Sequence, residues 1–147
     1  MPPPLVFAFA FAGGMLLDQA VRLPVAPSAL ADAARVVGWL VIGAAGMMIA
    51  SAAILFVVRR TTIVPHRHAS ALIVVGPYRF TRNPMYVGLT ALCVGAALVA
   101  NTAWPLLLLL APLWLLHAKT IPFEERTMEQ AFGDDYRAYC RRVRRWL

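Results

Sequence analysis

Two stretches of this chain carry no charged side chain, and they limit its folding choices more than any other feature. Val36 to Val58 is 23 residues without a charge, and Met85 to Leu116 is 32. An α-helix needs about 20 apolar residues to cross the hydrocarbon core of a bilayer. Composition agrees with a membrane chain. Hydrophobic residues make up 61% and charged residues 14%, against about 45–50% and about 25% in soluble domains. Mean hydropathy is +0.67. At 147 residues the chain is read as a single, all-α membrane domain.

The second run is too long for one ordinary span and slightly short for two. Asn101-Thr102-Ala103-Trp104-Pro105 interrupts it with turn and helix-start residues. The expected element is therefore a tight helical hairpin, 84–100 and 102–119, with Trp104 near the far interface. An earlier apolar segment covers about 5–25. Nothing basic precedes it, so it is read as a span and not as a secretory leader. Asp18 and Arg22, four residues apart on one helical face, are expected to pair at its boundary. Span two is 36–58, where Gly43, Gly46 and Ala50 are expected to admit a neighbouring helix closely.

Charge placement fixes the orientation. Four spans put the N-terminus, loop 59–83 and tail 120–147 on one side. With Lys119 at the end of the last span, that side then holds twelve of the fourteen Lys and Arg residues, leaving Arg22 and Arg35 opposite. By the positive-inside rule both termini are cytoplasmic, in the inner membrane. A single long helix over the second run would split the basic blocks across the bilayer.

The loop contains His66-Arg67-His68, which lacks a nearby carboxylate or cysteine, and no metal site is expected. Cys93 and Cys140 have neither disulfide nor metal spacing. Ala71 to Val75 is apolar but too short to span, and is read as interfacial. In the tail, Pro122 to Phe132 reads as a helix stopped by Gly133, with Asp134 capping a second helix. There Tyr136, Tyr139, Cys140 and Val143 share one face, and Arg137, Arg141, Arg144 and Arg145 lie largely elsewhere. This basic amphipathic helix is expected to lie in the headgroup layer against anionic lipid. A nucleic-acid partner is not expected beside four spans.

The most densely functionalised run is Gly76-Pro77-Tyr78-Arg79-Phe80-Thr81-Arg82-Asn83-Pro84-Met85-Tyr86-Val87-Gly88. Asn83-Pro84 reads as a helix start, with the Asn83 side chain accepting the first free N–H groups. Arg79, Arg82, Asn83, Tyr86, His117, Lys119, Glu124, Glu125 and Tyr136 all collect at the same membrane face. Anion binders and carboxylates at headgroup level suit a small zwitterionic cofactor and a lipid-like substrate. Taken singly, Glu124 and Glu125 are also ordinary helix-dipole partners after Pro122.

This run resembles the Arg-His-Pro-x-Tyr-x-Gly signature of the isoprenylcysteine carboxyl methyltransferase family. Glu124-Glu125, then Phe132-Gly133-x-x-Tyr136-x-x-Tyr139, then Val143-Arg144-Arg145-Trp146-Leu147 resemble that family's second block. The likeness covers about residues 61–147. It implies an integral membrane methyltransferase using S-adenosyl-L-methionine, a cofactor enclosed by the signature, the hairpin and the C-terminal segment. No G-x-G-x-x-G phosphate turn is present. The resemblance implies cofactor contacts at Gly76, Tyr78, Arg82, Asn83, Tyr86, Gly88, His117 and Tyr136, with Glu124, Glu125 and Arg79 as catalytic candidates. Asn83 stands where the family usually has His, and asparagine cannot ionise near neutral pH.

A carboxylate acceptor is already ionised and needs orientation and desolvation, which Arg79 or Lys119 could supply. An amine acceptor needs a base, for which Glu124 or Glu125 would serve. The sequence leaves this choice open. It also leaves two other functions to weigh. Sterol-type reductases using a nicotinamide cofactor end in a similar block but are usually larger. A non-catalytic subunit of the same fold would fit the change to Asn83.

Overall fold

The computed structural model describes residues 2–58 and 72–147. His66, Arg67 and His68 lie outside the described residues, as does Ala71. Six α-helices are present among the described residues: α1 Pro3–Ala20, α2 Ala31–Val58, α3 Pro84–Ala100, α4 Trp104–Leu108, α5 Leu110–Leu115 and α6 Ile121–Arg142. No strand occurs among the described residues. Counting the near-continuous α4–α6 rod as one, these make four long helical stretches. Three of them are long and apolar enough to cross a membrane: Pro3–Ala20, Ser28–Val58 and Trp104–Arg142. The 17-residue α3 is shorter but equally apolar. The chain is an integral membrane protein. Many of its bulky apolar side chains face outward, such as Leu40 at 69% and Val57 at 75% exposed, as lipid contact requires.

Proline sets several of the helix starts. Pro3, Pro84 and Pro105 each occupy a first-turn position, where the missing N–H costs nothing. The α3–α4 hairpin closes on Asn101 in the left-handed conformation (φ 49°), with Thr102 N–H donating to the Ala97 carbonyl. The second arm begins at Trp104, two residues later than expected. Between α5 and α6 the rod widens into a π-helical turn at Leu116–Thr120. Pro122 explains the position: it cannot donate to the carbonyl four residues back, and its ring crowds that carbonyl.

Packing of α2 on α3 departs from expectation. Gly43 and Gly46 face no described atom within 4 Å. The close approach is made instead by Gly38 and Gly95. A Cβ on Gly38 would meet the Gly95 carbonyl at 2.7 Å, and one on Gly95 would meet the Gly38 carbonyl at 2.8 Å. Small residues mark helix contacts, but the α2 sequence alone offers two such stripes, and α3 uses the other. At the far end, a polar clasp holds the α1–α2 connection to the hairpin. Asp18 accepts from Thr102 Oγ1 (2.9 Å) and Leu23 N–H (3.2 Å), and pairs with Arg22 at 3.3 Å. Asn101 bonds both backbone groups of Ala26, and Trp104 Nε1 donates to the Val21 carbonyl. The Asp18–Arg22 pair is as the sequence spacing predicts.

Candidate active site

The starts of α3 and α6 meet at one end of the bundle, and this junction gathers the polar residues. Tyr86 lies in the first turn of α3 and Glu124 in the first turn of α6. The Tyr86 hydroxyl donates to Glu124 Oε1 at 2.7 Å. Burial raises the Glu124 carboxyl above its ordinary value, opposed by the Tyr86 hydrogen bond and reinforced by the neighbouring Glu125 charge. Glu125 is committed differently. Arg82 reaches its Oε1 at 2.9 Å, and Arg145 holds both oxygens at 3.1 and 2.6 Å. Two-point contact of this kind is the strong form of an Arg–carboxylate pair.

Arg82 is the hub. Its terminal nitrogen also approaches Cys140 Sγ at 2.8 Å. Burial works against its charge, but Glu125, then Cys140 and Tyr136, outweigh burial and raise its pKa. Its Nε is buried and has no partner among the described residues. An orphaned buried N–H is costly unless something occupies it. Tyr136 is buried beside this group. Burial raises its phenol, as does Cys140.

Asn83 occupies the cap position of α3, but its side chain makes no capping bond. The amide turns away and donates to the Arg145 carbonyl at 2.9 Å, while Thr81 Oγ1 accepts the Asn83 N–H. The expected capping role therefore passes to no side chain, because the Arg145 carbonyl competes for the amide.

Most other expected site residues fall outside the junction, but Tyr78 borders it, close enough to feel the Glu124 charge. Gly88 is packed on α2, where a Cβ would meet Ile49 at 2.5 Å, so it serves helix contact. Gly76 is left-handed (φ 61°) and turns the chain into the 3-10 turn Gly76–Arg79. Tyr78 is buried edge-on against Phe56, centroids 5.9 Å apart, and burial raises its phenol. Arg79 is exposed and forms no ion pair with a described residue. His117 and Lys119 are exposed on the π turn, with His117 Nδ1 3.5 Å from Trp146 Nε1.

Tyr136 and Tyr139 form the buried face of α6, as their spacing predicts, and that face seats against the signature. The Tyr139 hydroxyl donates to the Tyr78 carbonyl at 2.7 Å, and burial pushes its pKa up to about 12. Gly133 breaks the helix as expected, with φ 52° and ψ −120°. Asp134 does not cap the segment after the break. Its carboxylate takes the Arg137 guanidinium at 2.7 Å. Arg145, Thr81 and Cys140 are partners that sequence reasoning does not find. Arg145 belongs to the second block, but its spacing groups it with the lipid-facing arginines.

The sequence profile of one family, described as phospholipid methyltransferase, matches residues 33–135. A "Probable protein-S-isoprenylcysteine O-methyltransferase" of Oryza sativa subsp. indica is 33% identical over 72 residues, 49% of this chain and 38% of that protein. "Protein-S-isoprenylcysteine O-methyltransferase B" of Arabidopsis thaliana is 31% identical over 72 residues, 49% of this chain and 36% of that protein. The matched stretch thus spans well under half the length of those relatives. No solved structure matches.

Proposed function

The chain belongs to the phospholipid methyltransferase family, and from that premise we propose that it transfers a methyl group from S-adenosyl-L-methionine to a lipophilic acceptor, a prenylcysteine-like carboxylate or a lipid. The observation that carries this is the α3–α6 junction. Both motif blocks contribute to it, and among the described residues it pairs a carboxylate with one hydrogen bond, Glu124, with a buried donor that has no partner, Arg82 Nε. That donor set fits a zwitterionic sulfonium cofactor. The Arg82 Nε–H suits its carboxylate and Glu124 suits its ammonium end. The plant relatives' names supply the carboxylate acceptor, and the family description supplies the lipid.

When bound, the cofactor supplies an electrophilic methyl group. The residues around it orient, desolvate and balance charge. Among the described residues no cation pairs with Glu124, whereas Glu125 is neutralised by Arg82 and Arg145. Tyr86 fixes the Glu124 rotamer. Trp146, half-buried against the cluster of Phe7, Leu109, Leu116 and Ile121, keeps water from one side. For an amine acceptor, Glu124 would be the base in place of its role at the ammonium end. A carboxylate acceptor needs no base and would lie toward the exposed cations Lys119 and Arg79. We place the protein in the inner membrane, with four spans and both termini cytoplasmic, its exposed tail arginines facing anionic lipid.

The test is methyl transfer from labelled S-adenosyl-L-methionine to a farnesylcysteine and, separately, to aminophospholipid vesicles. Base-labile label on the first marks O-methylation; base-stable label on the second marks N-methylation. Label on neither acceptor, from folded protein, would contradict the proposal.

A further inference from the structure

We propose that Cys140 is a positioning residue: its sulfur fixes the plane of the Arg82 guanidinium, so that Arg82 Nε–H stays aimed at the carboxylate of the bound cofactor. The inference rests on the cofactor reading above. An arginine ends in a rigid planar group, so two contacts on that group fix the direction of every other N–H. A carboxylate often supplies both through a two-point contact. Glu125 cannot do so for Arg82, because Arg145 already spans it, with Nε 3.1 Å from Oε1 and Nη2 2.6 Å from Oε2. Arg82 is left with one point, Nη1 at 2.9 Å from the Oε1 that Arg145 shares. About a single hydrogen bond the guanidinium plane can turn.

Cys140 supplies the second point. Its Sγ lies 2.8 Å from the same Nη1. The two hydrogens of Nη1 thus go to two acceptors from opposite ends of α6, Glu125 and Cys140. With Nη1 held twice the plane is set, and the direction of Nε–H is set with it. That Nε is the buried donor with no partner among the described residues. The sulfur is itself held in place. Cys140 follows Tyr136 by one helical turn, on the same face, and Tyr136 is buried beside it. The neighbouring Tyr139 hydroxyl ties this part of α6 to the Tyr78 carbonyl at 2.7 Å. A neutral thiol is a weak acceptor, so the contact contributes little to folding; what it contributes is direction. Cys140 falls between the tyrosines of the second block and its Val143–Leu147 segment, so the motif gives it no part.

The experiment titrates the detergent-solubilised full chain calorimetrically with two ligands. One is S-adenosylhomocysteine; the other is its decarboxylated analogue, which keeps the nucleoside, the thioether and the ammonium group. Wild type should bind the analogue about tenfold more weakly. Cys140→Ala should weaken S-adenosylhomocysteine binding about fivefold and leave the analogue's affinity unchanged, since the analogue presents nothing to Arg82 Nε. Cys140→Ser returns an acceptor at shorter reach and should recover part of the loss. Should the alanine variant misfold, Cys140→Val, also without an acceptor, is read in its place. Equal weakening of both ligands would make Cys140 a packing residue and overturn the proposal, as would unchanged affinity for both. Equal wild-type affinity for the two ligands would separate Arg82 from the carboxylate and overturn it as well, while leaving cofactor binding itself intact. Failure of S-adenosylhomocysteine to bind folded wild type would remove the cofactor reading, and the role of Cys140 with it.

Discussion

Glu125 gives both carboxylate oxygens to Arg82 and Arg145, whereas among the described residues Glu124 receives a single hydrogen bond, from Tyr86. Adjacent glutamates thus differ in charge balance, and the sequence could not tell them apart because both follow the same proline. Burial raises the Glu124 pKa above its ordinary 4.5 in the folded chain. Between the ordinary and the raised value the folded state holds more protons than the unfolded state, so stability falls as pH climbs through that window. Glu124→Gln mimics the neutral form and should flatten this slope. Thermal unfolding from about pH 4 to about pH 8 reads it, and parallel profiles for wild type and variant would remove burial of a charged Glu124 from the account. Arg82, Asn83, Tyr86 and Tyr136 stand out in the signature and its second block, and the fold brings them to one junction. Gly88 stands out equally but packs on α2, since a glycine in a motif looks alike whether it faces a ligand or a helix. Arg145 is hidden in sequence because charged residues recur throughout the tail, and only tertiary contact separates the one that turns inward.

The elements were legible where proline and apolar runs define them, and less so where packing partners decide. The hairpin at Asn101 and the break at Gly133 follow from backbone chemistry alone. The seating of the tail on the signature does not, because an amphipathic face fits a membrane surface and a protein surface equally well. Two predictions belong to this scale. A Cβ at Gly133 meets nothing within 4 Å, so only its backbone conformation requires glycine. Gly133→Ala should cost about 1 kcal/mol and loosen Tyr136 and Tyr139, seen as a lower Tm and weaker S-adenosylhomocysteine binding. An unchanged Tm would mean that the break is not needed. Gly95→Leu drives a side chain into the α2 backbone and should cost about 1–3 kcal/mol, whereas Gly43→Leu, on the open face, should leave Tm nearly unchanged. Equal effects of the two would contradict the assigned α2–α3 contact.

At the scale of the whole molecule, length and charge distribution point to an all-α membrane protein, and three long apolar stretches support it. Orientation rests on charge asymmetry, and Asn101→Cys should be labelled from the outer face alone; labelling from the cytoplasm would reverse the topology. The central claim is that the α3–α6 junction binds a sulfonium cofactor through Glu124 and Arg82. Calorimetric titration of the detergent-purified protein with S-adenosylhomocysteine, with NADPH in parallel, tests it most directly. The account predicts micromolar binding of S-adenosylhomocysteine, weakened about tenfold or more by Glu124→Gln, and no binding of NADPH. Binding of NADPH alone, or S-adenosylhomocysteine affinity unchanged by Glu124→Gln, would contradict it.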